Sequence, residues 1–297
     1  MITVDDLTKR YGATTAIEGV SFQVPKGQVV GFLGPNGAGK TTTMRIITGS
    51  LGATEGSVTI DGEDVFKKPR VVKKRIGYLP EVPPLYTDMT VRQYVAFAGR
   101  LKGVKKPRVA AEQIIERVGL VPVAHRIVDH LSKGFRQRVG LAQALVHNPE
   151  VLILDEPNSG LDPAQRVEIR ELLKSLAEED RTIVLSTHVL ADIEAMCSRV
   201  IIINNGKVVA EDDIANLGSG VQTVEVQLAR PEGALEVLEA LQDVMSVSEL
   251  PEGRFQIQTR EDRRALIADE AVRFGLLELQ GRQRLEDIFL RLTEDEQ

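Results

Sequence analysis

A chain of 297 residues with 42% hydrophobic content can bury a large core, and its length suggests about two domains. Gly and Pro are not in excess, which excludes wholesale disorder, and a net charge of −6 leaves no nucleic-acid footprint. The charge is uneven: residues 1–220 hold 28 Lys+Arg and 26 Asp+Glu, whereas residues 221–297 hold 9 and 17 with no lysine, which marks the tail as a separate acidic module.

Ile2–Leu7 and Val20–Val24 read as strands on either side of Lys9-Arg10-Tyr11-Gly12. Tyr11, an aromatic before a turn glycine, could stack on a purine ring or serve the fold alone. Gln28–Leu33 reads as a buried strand and Thr43–Gly49 as a helix. Between them, Gly34-Pro35-Asn36-Gly37-Ala38-Gly39-Lys40-Thr41-Thr42 matches G-x-x-x-x-G-K-S/T, the phosphate-binding loop. Its glycines let consecutive N–H groups point at a phosphate, and the helix N-terminus adds partial positive charge. Lys40 is expected at the β- and γ-phosphates and the Thr41 hydroxyl on Mg²⁺.

Residues 56–60 read as a strand, and the basic run Lys67–Arg75 as a solvated helix face. Ile76–Glu81 is a strand ending in a loop that Pro83 and Pro84 keep out of helix. Residues 90–147 become helix-rich. Thr90 caps a helix over Val91–Leu101, Pro107 opens another through Val118, and Leu131–Val139 leads into a third through Leu145. Val151–Leu154 is a buried strand with Asp155 and Glu156 at its C-terminal end, where α/β sheets place ligands. A helix over Ala164–Glu178 and a buried strand over Thr182–Thr187, ending at His188, follow. Arg199–Ala210 reads as a hairpin turning at Asn205-Gly206. Leu217–Gly220 reads as a linker. Beyond it come strand 223–228, helix 233–241, strands 244–250 and 254–259, helix 262–274, strand 276–280 and helix 284–292, a small α+β fold of the ferredoxin-like kind.

Cys197 is the only cysteine, so no intramolecular disulfide can form, which fits a reducing compartment. Met1–Leu7 does not read as a signal peptide, and no segment approaches ~18 consecutive apolar residues. Any membrane role needs a separate chain. Chemically, Asp155 is expected to hold Mg²⁺, Glu156 to polarise an attacking water, and His188 to reach the γ-phosphate from a neighbouring strand end.

In order along the chain stand Tyr11, the loop 34–42, Glu81, Leu131-Ser132-Lys133-Gly134-Phe135, Val151–Glu156, Ser159-Gly160-Leu161-Asp162 and His188. Together they resemble the nucleotide-binding subunit of ATP-binding-cassette (ABC) transporters, over about residues 1–217. The resemblance implies an α/β fold, a P-loop NTPase cassette with a β-subdomain, a RecA-like core and a helical subdomain; beyond it the residue pattern gives a linker at 218–222 and an α+β accessory domain over 223–297. It implies ATP and Mg²⁺ as cofactors, with no covalent cofactor and no nucleic acid. Tyr11 would stack on adenine, Gly34, Pro35, Asn36, Gly37, Ala38, Gly39, Lys40, Thr41 and Thr42 would cradle the phosphates, and Thr41, Glu81 and Asp155 would serve the metal. Glu156 would be the catalytic base, His188 the γ-phosphate switch, and Asp162 part of the loop coupling two sites. Ser132, Lys133 and Gly134 would complete the ATP site of a facing subunit, giving a head-to-tail homodimer with two sandwiched ATP molecules.

The implied partner is a separate transmembrane permease, which places the chain on the cytoplasmic face of the plasma membrane. Two departures stand out. The family's loop glutamine is Glu81, which can ligate Mg²⁺ but has no amide to donate. The family's L-S-G-G-Q reads Leu131-Ser132-Lys133-Gly134-Phe135, which brings an extra positive charge. Both variants, and the C-terminal run Leu285–Thr293, resemble exporter ATPases of the type-two class. A soluble ATP switch of the same superfamily is the alternative, but this chain has one phosphate loop and no long coiled-coil insertion.

Overall fold

The computed structural model describes residues 1–187, 189–214, 222–261, 263–282, Leu285 and Phe289. The chain divides into two compact units, Met1–Glu211 and Asp212–Gln297. The division falls earlier than the expected cassette end at residue 217, inside a strand that runs from Lys207 to Asp213. The linker residues 217–220 lie outside the described residues.

The first unit opens with β1 (Ile2–Tyr11) paired antiparallel to β2 (Thr14–Val24), Ile2 opposite Val24 and Tyr11 opposite Thr14. β1 continues past Leu7, where the sequence pattern suggests an end. Asp6 takes φ 46° and the register shifts between Val4 and Leu7, so a bulge absorbs the break in alternation and the ladder resumes. Next come β3 (Val29–Leu33), α1 (Lys40–Ile47), β4 (Glu55–Ile60), β5 (Glu63–Asp64), α2 (Pro69–Arg75) and β6 (Ile76–Leu79). The basic run becomes α2, on which Val72 alone is buried. The helical insert holds α3 (Val91–Leu101), α4 (Pro107–Arg117) and α5 (Lys133–Leu145). Thr90 and Gln93 form a reciprocal capping box at the start of α3, as the Thr90 reading requires. The unit closes with β7 (Val151–Asp155), α6 (Pro163–Ala177), β8 (Thr182–Ser186), α7 (Leu190–Met196), β9 (Arg199–Asn204) and β10 (Lys207–Asp213).

Two sheets result. One has the order β2-β1-β4-β5, the other β10-β9-β3-β8-β7-β6. In the second, neighbours from β6 to β9 run parallel. Every residue of β3, β7 and β8 is buried, which is why these strands read as unbroken apolar runs. Ile2, Val4, Val20, Phe22, Phe32, Met44, Ile46, Val58, Ile153 and Ile201 share one core. Parallel strands put their C-terminal ends on one side. The loops after β3, β6 and β7 therefore emerge together.

The second unit comprises β11 (Gln222–Leu228), α8 (Ala234–Glu239), β12 (Val244–Leu250), β13 (Arg254–Thr259), α9 (Arg264–Ala271) and β14 (Leu276–Arg282). Its sheet has the order β12-β13-β11-β14, with every pairing antiparallel. Two βαβ crossovers split by an intervening strand give this order, the ferredoxin-like arrangement expected. Val224, Val226, Phe255 and Ile257 alternate onto one face of the sheet and pack with Leu238, Ile267 and Ala271 of the helices. The expected helix 284–292 falls outside the described residues except for Leu285 and Phe289.

Candidate nucleotide site

The phosphate loop leaves β3 with its backbone pressed against the sheet. A Cβ on Gly34 would stand 2.3 Å from the Ile203 carbonyl oxygen, and one on Gly39 would stand 2.5 Å from Ile17 Cγ2. Gly39 also takes φ 104°, so β2 and β9 leave no room there for any other residue. α1 starts at Lys40, three residues before the Thr43 that hydrophobic periodicity suggests. The last loop residues are themselves the first helical turn, and they point its free N–H groups at the loop. Lys40 is buried and curls back, its Nζ donating to the carbonyls of Gly34 (2.7 Å) and Pro35 (3.0 Å).

The acids at the end of β7 behave differently from each other. Asp155 is 1% exposed. Its Oδ1 accepts from Ser186 Oγ at 2.6 Å on the adjacent strand end, while its buried Oδ2 has no hydrogen-bond partner. Glu156 sits at φ 50°, the left-handed region, which costs a non-glycine residue about 1 kcal/mol or more. Its N–H is held by the Ser186 carbonyl (3.1 Å) and hydroxyl (3.2 Å), and Gln137 Nε2 of α5 donates to its carbonyl at 3.4 Å. The backbone is thus pinned from two sides in a strained turn, and Glu156 lines the cleft.

A cleft of about 450 Å³ joins these parts; its lining includes Asn36, Gly37, Gly39, Lys40, Thr41, Thr42, Glu81, Asp155 and Glu156. Burial lowers the Lys40 pKa, while the nearby carboxylates of Glu156, Asp155 and Glu81 act to raise it. The cleft therefore carries three carboxylates against one buried ammonium.

The other anticipated residues lie elsewhere. Tyr11 ends β1, half exposed, with Lys9 Nζ 5.2 Å from its ring centroid. Ser132, Lys133 and Gly134 do not line the cleft of their own chain. Ser132 caps α5 by accepting from the Phe135 N–H, and Gly134 is buried against Gln165 of α6. Asp162 caps α6, accepting from the Gln165 N–H at 2.8 Å. His188 lies outside the described residues. Sequence reasoning missed Ser186 and Gln137, which orient the two acids. Ser186 ends a recognisable strand, so strand pairing with β7 could have found it; Gln137 is visible only in three dimensions.

Strand, glycine loop and helix, with an aspartate closing a second parallel strand, define a P-loop nucleoside triphosphatase. Comparison with known proteins narrows the class. The family model described as "ABC transporter" matches residues 17–159. The chain is 35% identical to the bacitracin transport ATP-binding protein BcrA of Bacillus licheniformis, covering 98% of this chain and 97% of that one. It is likewise 35% identical to the Nod factor export ATP-binding protein I of Paraburkholderia xenovorans, over 98% and 96% of the two chains. Among solved structures, a dimeric bacterial ABC transporter cassette superposes with TM-score 0.68 at 28% identity, covering 72% of this chain and 99% of that one. The chain belongs to the ATP-binding proteins of ABC transporters, and its activity is ATP hydrolysis.

Proposed function

We propose that this chain drives a separate transmembrane permease in export, working as a head-to-tail dimer with two Mg·ATP molecules between the subunits. The observation that carries this reading is the division of the site. Lys40, Thr41, Glu81, Asp155 and Glu156 share one cleft, while Ser132–Gly134 stand outside it at the capped start of α5. A second copy can supply what the cleft lacks. The names of the relatives, bacitracin transport and Nod factor export, favour export. In this reading the permease does the membrane work and the chain sits at its cytoplasmic face; among the described residues of the chain itself no helix is long and apolar enough to cross a membrane.

The residues present fit magnesium. Asp155 Oδ2 is buried without a partner, and the Thr41 hydroxyl and Glu81 line the same cleft. No group of three or more His, Cys, Asp or Glu that could hold a metal occurs among the described residues, which suits an ion that keeps waters and phosphate oxygens as ligands. Magnesium supplies charge neutralisation on the β- and γ-phosphates. Lys40 exchanges its carbonyl contacts for phosphate oxygens, the α1 N-terminus binds the same anion through its N–H groups, and Glu156 accepts the proton of the attacking water. Three carboxylates in the cleft repel a triphosphate, so Lys133 of the facing subunit compensates for Glu81. Tyr11 stacks on the adenine, and His188 contacts the γ-phosphate.

The test is co-purification. Isolation of the full chain from its membranes in mild detergent should recover a multispanning membrane protein and an ATPase activity that requires Mg²⁺. Recovery of the active chain alone, from the soluble fraction only, would favour the soluble-switch alternative.

A further inference from the structure

Next to the cleft lies a buried polar cluster that the proposed mechanism does not use. Asp192 of α7 is 1% exposed and Asn158, two residues after Glu156, is 4% exposed. Asn158 Nδ2 donates to Asp192 Oδ2 at 2.7 Å, and Arg170 Nη2 of α6 donates to Asp192 Oδ1 at 2.7 Å. A carboxylate only accepts, so the Asn158 amide must present its NH₂. One carboxylate thereby ties together the loop after β7, α6 and α7.

These three elements are not equally fixed. α7 is bolted to the sheet: Ile193 is fully buried, and its side chain fills the space where a Cβ on Gly31 of β3 would stand. Asp192, its neighbour, is therefore a rigid post. The loop at 157–162 has no regular backbone ladder, and Asn158 is its buried side-chain anchor on that post. Glu156 begins this loop in a left-handed conformation that its surroundings must maintain. Its backbone is held from the strand side by Ser186 and from α5 by Gln137. The Asn158–Asp192 bond fixes the chain on the third side.

We propose that Asp192 is a positioning residue for ATP hydrolysis: through Asn158 it pins the loop after Glu156 to the sheet-anchored α7, and so holds the Glu156 carboxylate at the cleft. Arg170 keeps the buried Asp192 charge compensated and extends the tie to α6. The inference rests on the ATPase reading of the site. Asp192 is buried and does not line the cleft, so it acts on turnover and not on nucleotide affinity.

The experiment uses the full chain and compares Asn158→Ala, Asp192→Ala and the exchange Asn158→Asp/Asp192→Asn with the parent, measuring kcat and KM for MgATP, binding of a fluorescent ATP analogue, and Tm. Both single variants should lose about tenfold in kcat, as expected when a catalytic group drifts by a fraction of an ångström, with analogue affinity within about twofold of the parent. The exchange keeps an amide–carboxylate pair and should recover kcat above either single variant. If Asp192→Ala does not fold, Asn158→Ala removes only the loop's half of the bond and decides alone. Single variants turning over at the parental rate, a loss that tracks analogue affinity, or an exchange with no recovery would each overturn the assignment. A parent with no turnover in the same assay would overturn the ATPase reading beneath it.

Discussion

The phosphate loop and the segment 131–135 use the same device and end differently. Each is a short glycine-containing stretch that leads into a helix N-terminus, where free N–H groups favour an anion. At the phosphate loop, the chain gathers Lys40, the Thr41 hydroxyl, Glu81 and the two acids at the end of β7 around one cleft. At 131–135, the chain supplies only a cap, Ser132, and packs Gly134 against Gln165. One terminus is half of a site already furnished; the other is a tool held away from its own workpiece. On the proposed reading the catalytic centre is distributed between copies, and the two halves should then fail in different ways.

The largest expected effect is at Glu156. Glu156→Gln should leave ATP binding intact and lower kcat by about 10³-fold, the scale of losing a general base; single-turnover hydrolysis checks this. An active Glu156→Gln would remove the furnished half of the contrast. Lys40→Ala should weaken ATP binding by about 100-fold, because the loop loses its buried cation amid three carboxylates, and isothermal titration reads this directly. Unchanged affinity would refute the phosphate-loop assignment.

His147 lies outside both halves and tests stability alone. Burial, with Lys102 beside it, pushes its pKa down to about 4 from 6.5, and Nε2–H donates to the Ile76 carbonyl at 3.0 Å. A lowered folded-state pKa means that the unfolded chain takes the proton first. Stability from the neutral ring is complete above pH 6.5 and drains away as pH falls toward 4, by about 3 kcal/mol in all. His147→Phe should flatten the fall of Tm between pH 7 and pH 5 without touching ATP affinity at pH 7; an unchanged slope would contradict it. The smallest effect belongs to the rim: Tyr11→Ala should weaken ATP by about 3- to 10-fold, the worth of one aromatic stack, and GTP by a similar factor.

The phosphate loop, the buried strand before Asp155-Glu156 and the Thr90 cap were legible because each is a local pattern: glycine spacing, an apolar run ending in acids, a capping residue directly before a helical stretch. The extension of β1 to Tyr11 was not, because Asp6 breaks the period of two and a bulge restores it only through pairing with β2. The sequence places the linker at the Gly-Ser run 217–220, a composition signal, whereas the compact units divide at Glu211, inside β10, which only strand pairing reveals. Ser186, Gln137, Asn158 and Asp192 carry no motif. Their roles arise from side chains that meet across 19 to 34 residues of sequence, and only the folded sheet brings them together.

The central claim is that the site closes only when a second copy brings its segment 131–135 to the ATP. Light scattering on Glu156→Gln with MgATP tests it most directly, alongside Glu156→Gln/Gly134→Asp. A Cβ at position 134 would stand 2.4 Å from Gln165 Oε1, a movable side-chain end, so the second variant can fold while carrying an unwanted negative charge at α5. The account predicts that ATP doubles the mass of Glu156→Gln, and that the double variant binds ATP equally well yet remains a monomer. A Glu156→Gln chain that stays monomeric when saturated with ATP, or a double variant that still dimerises, would contradict it.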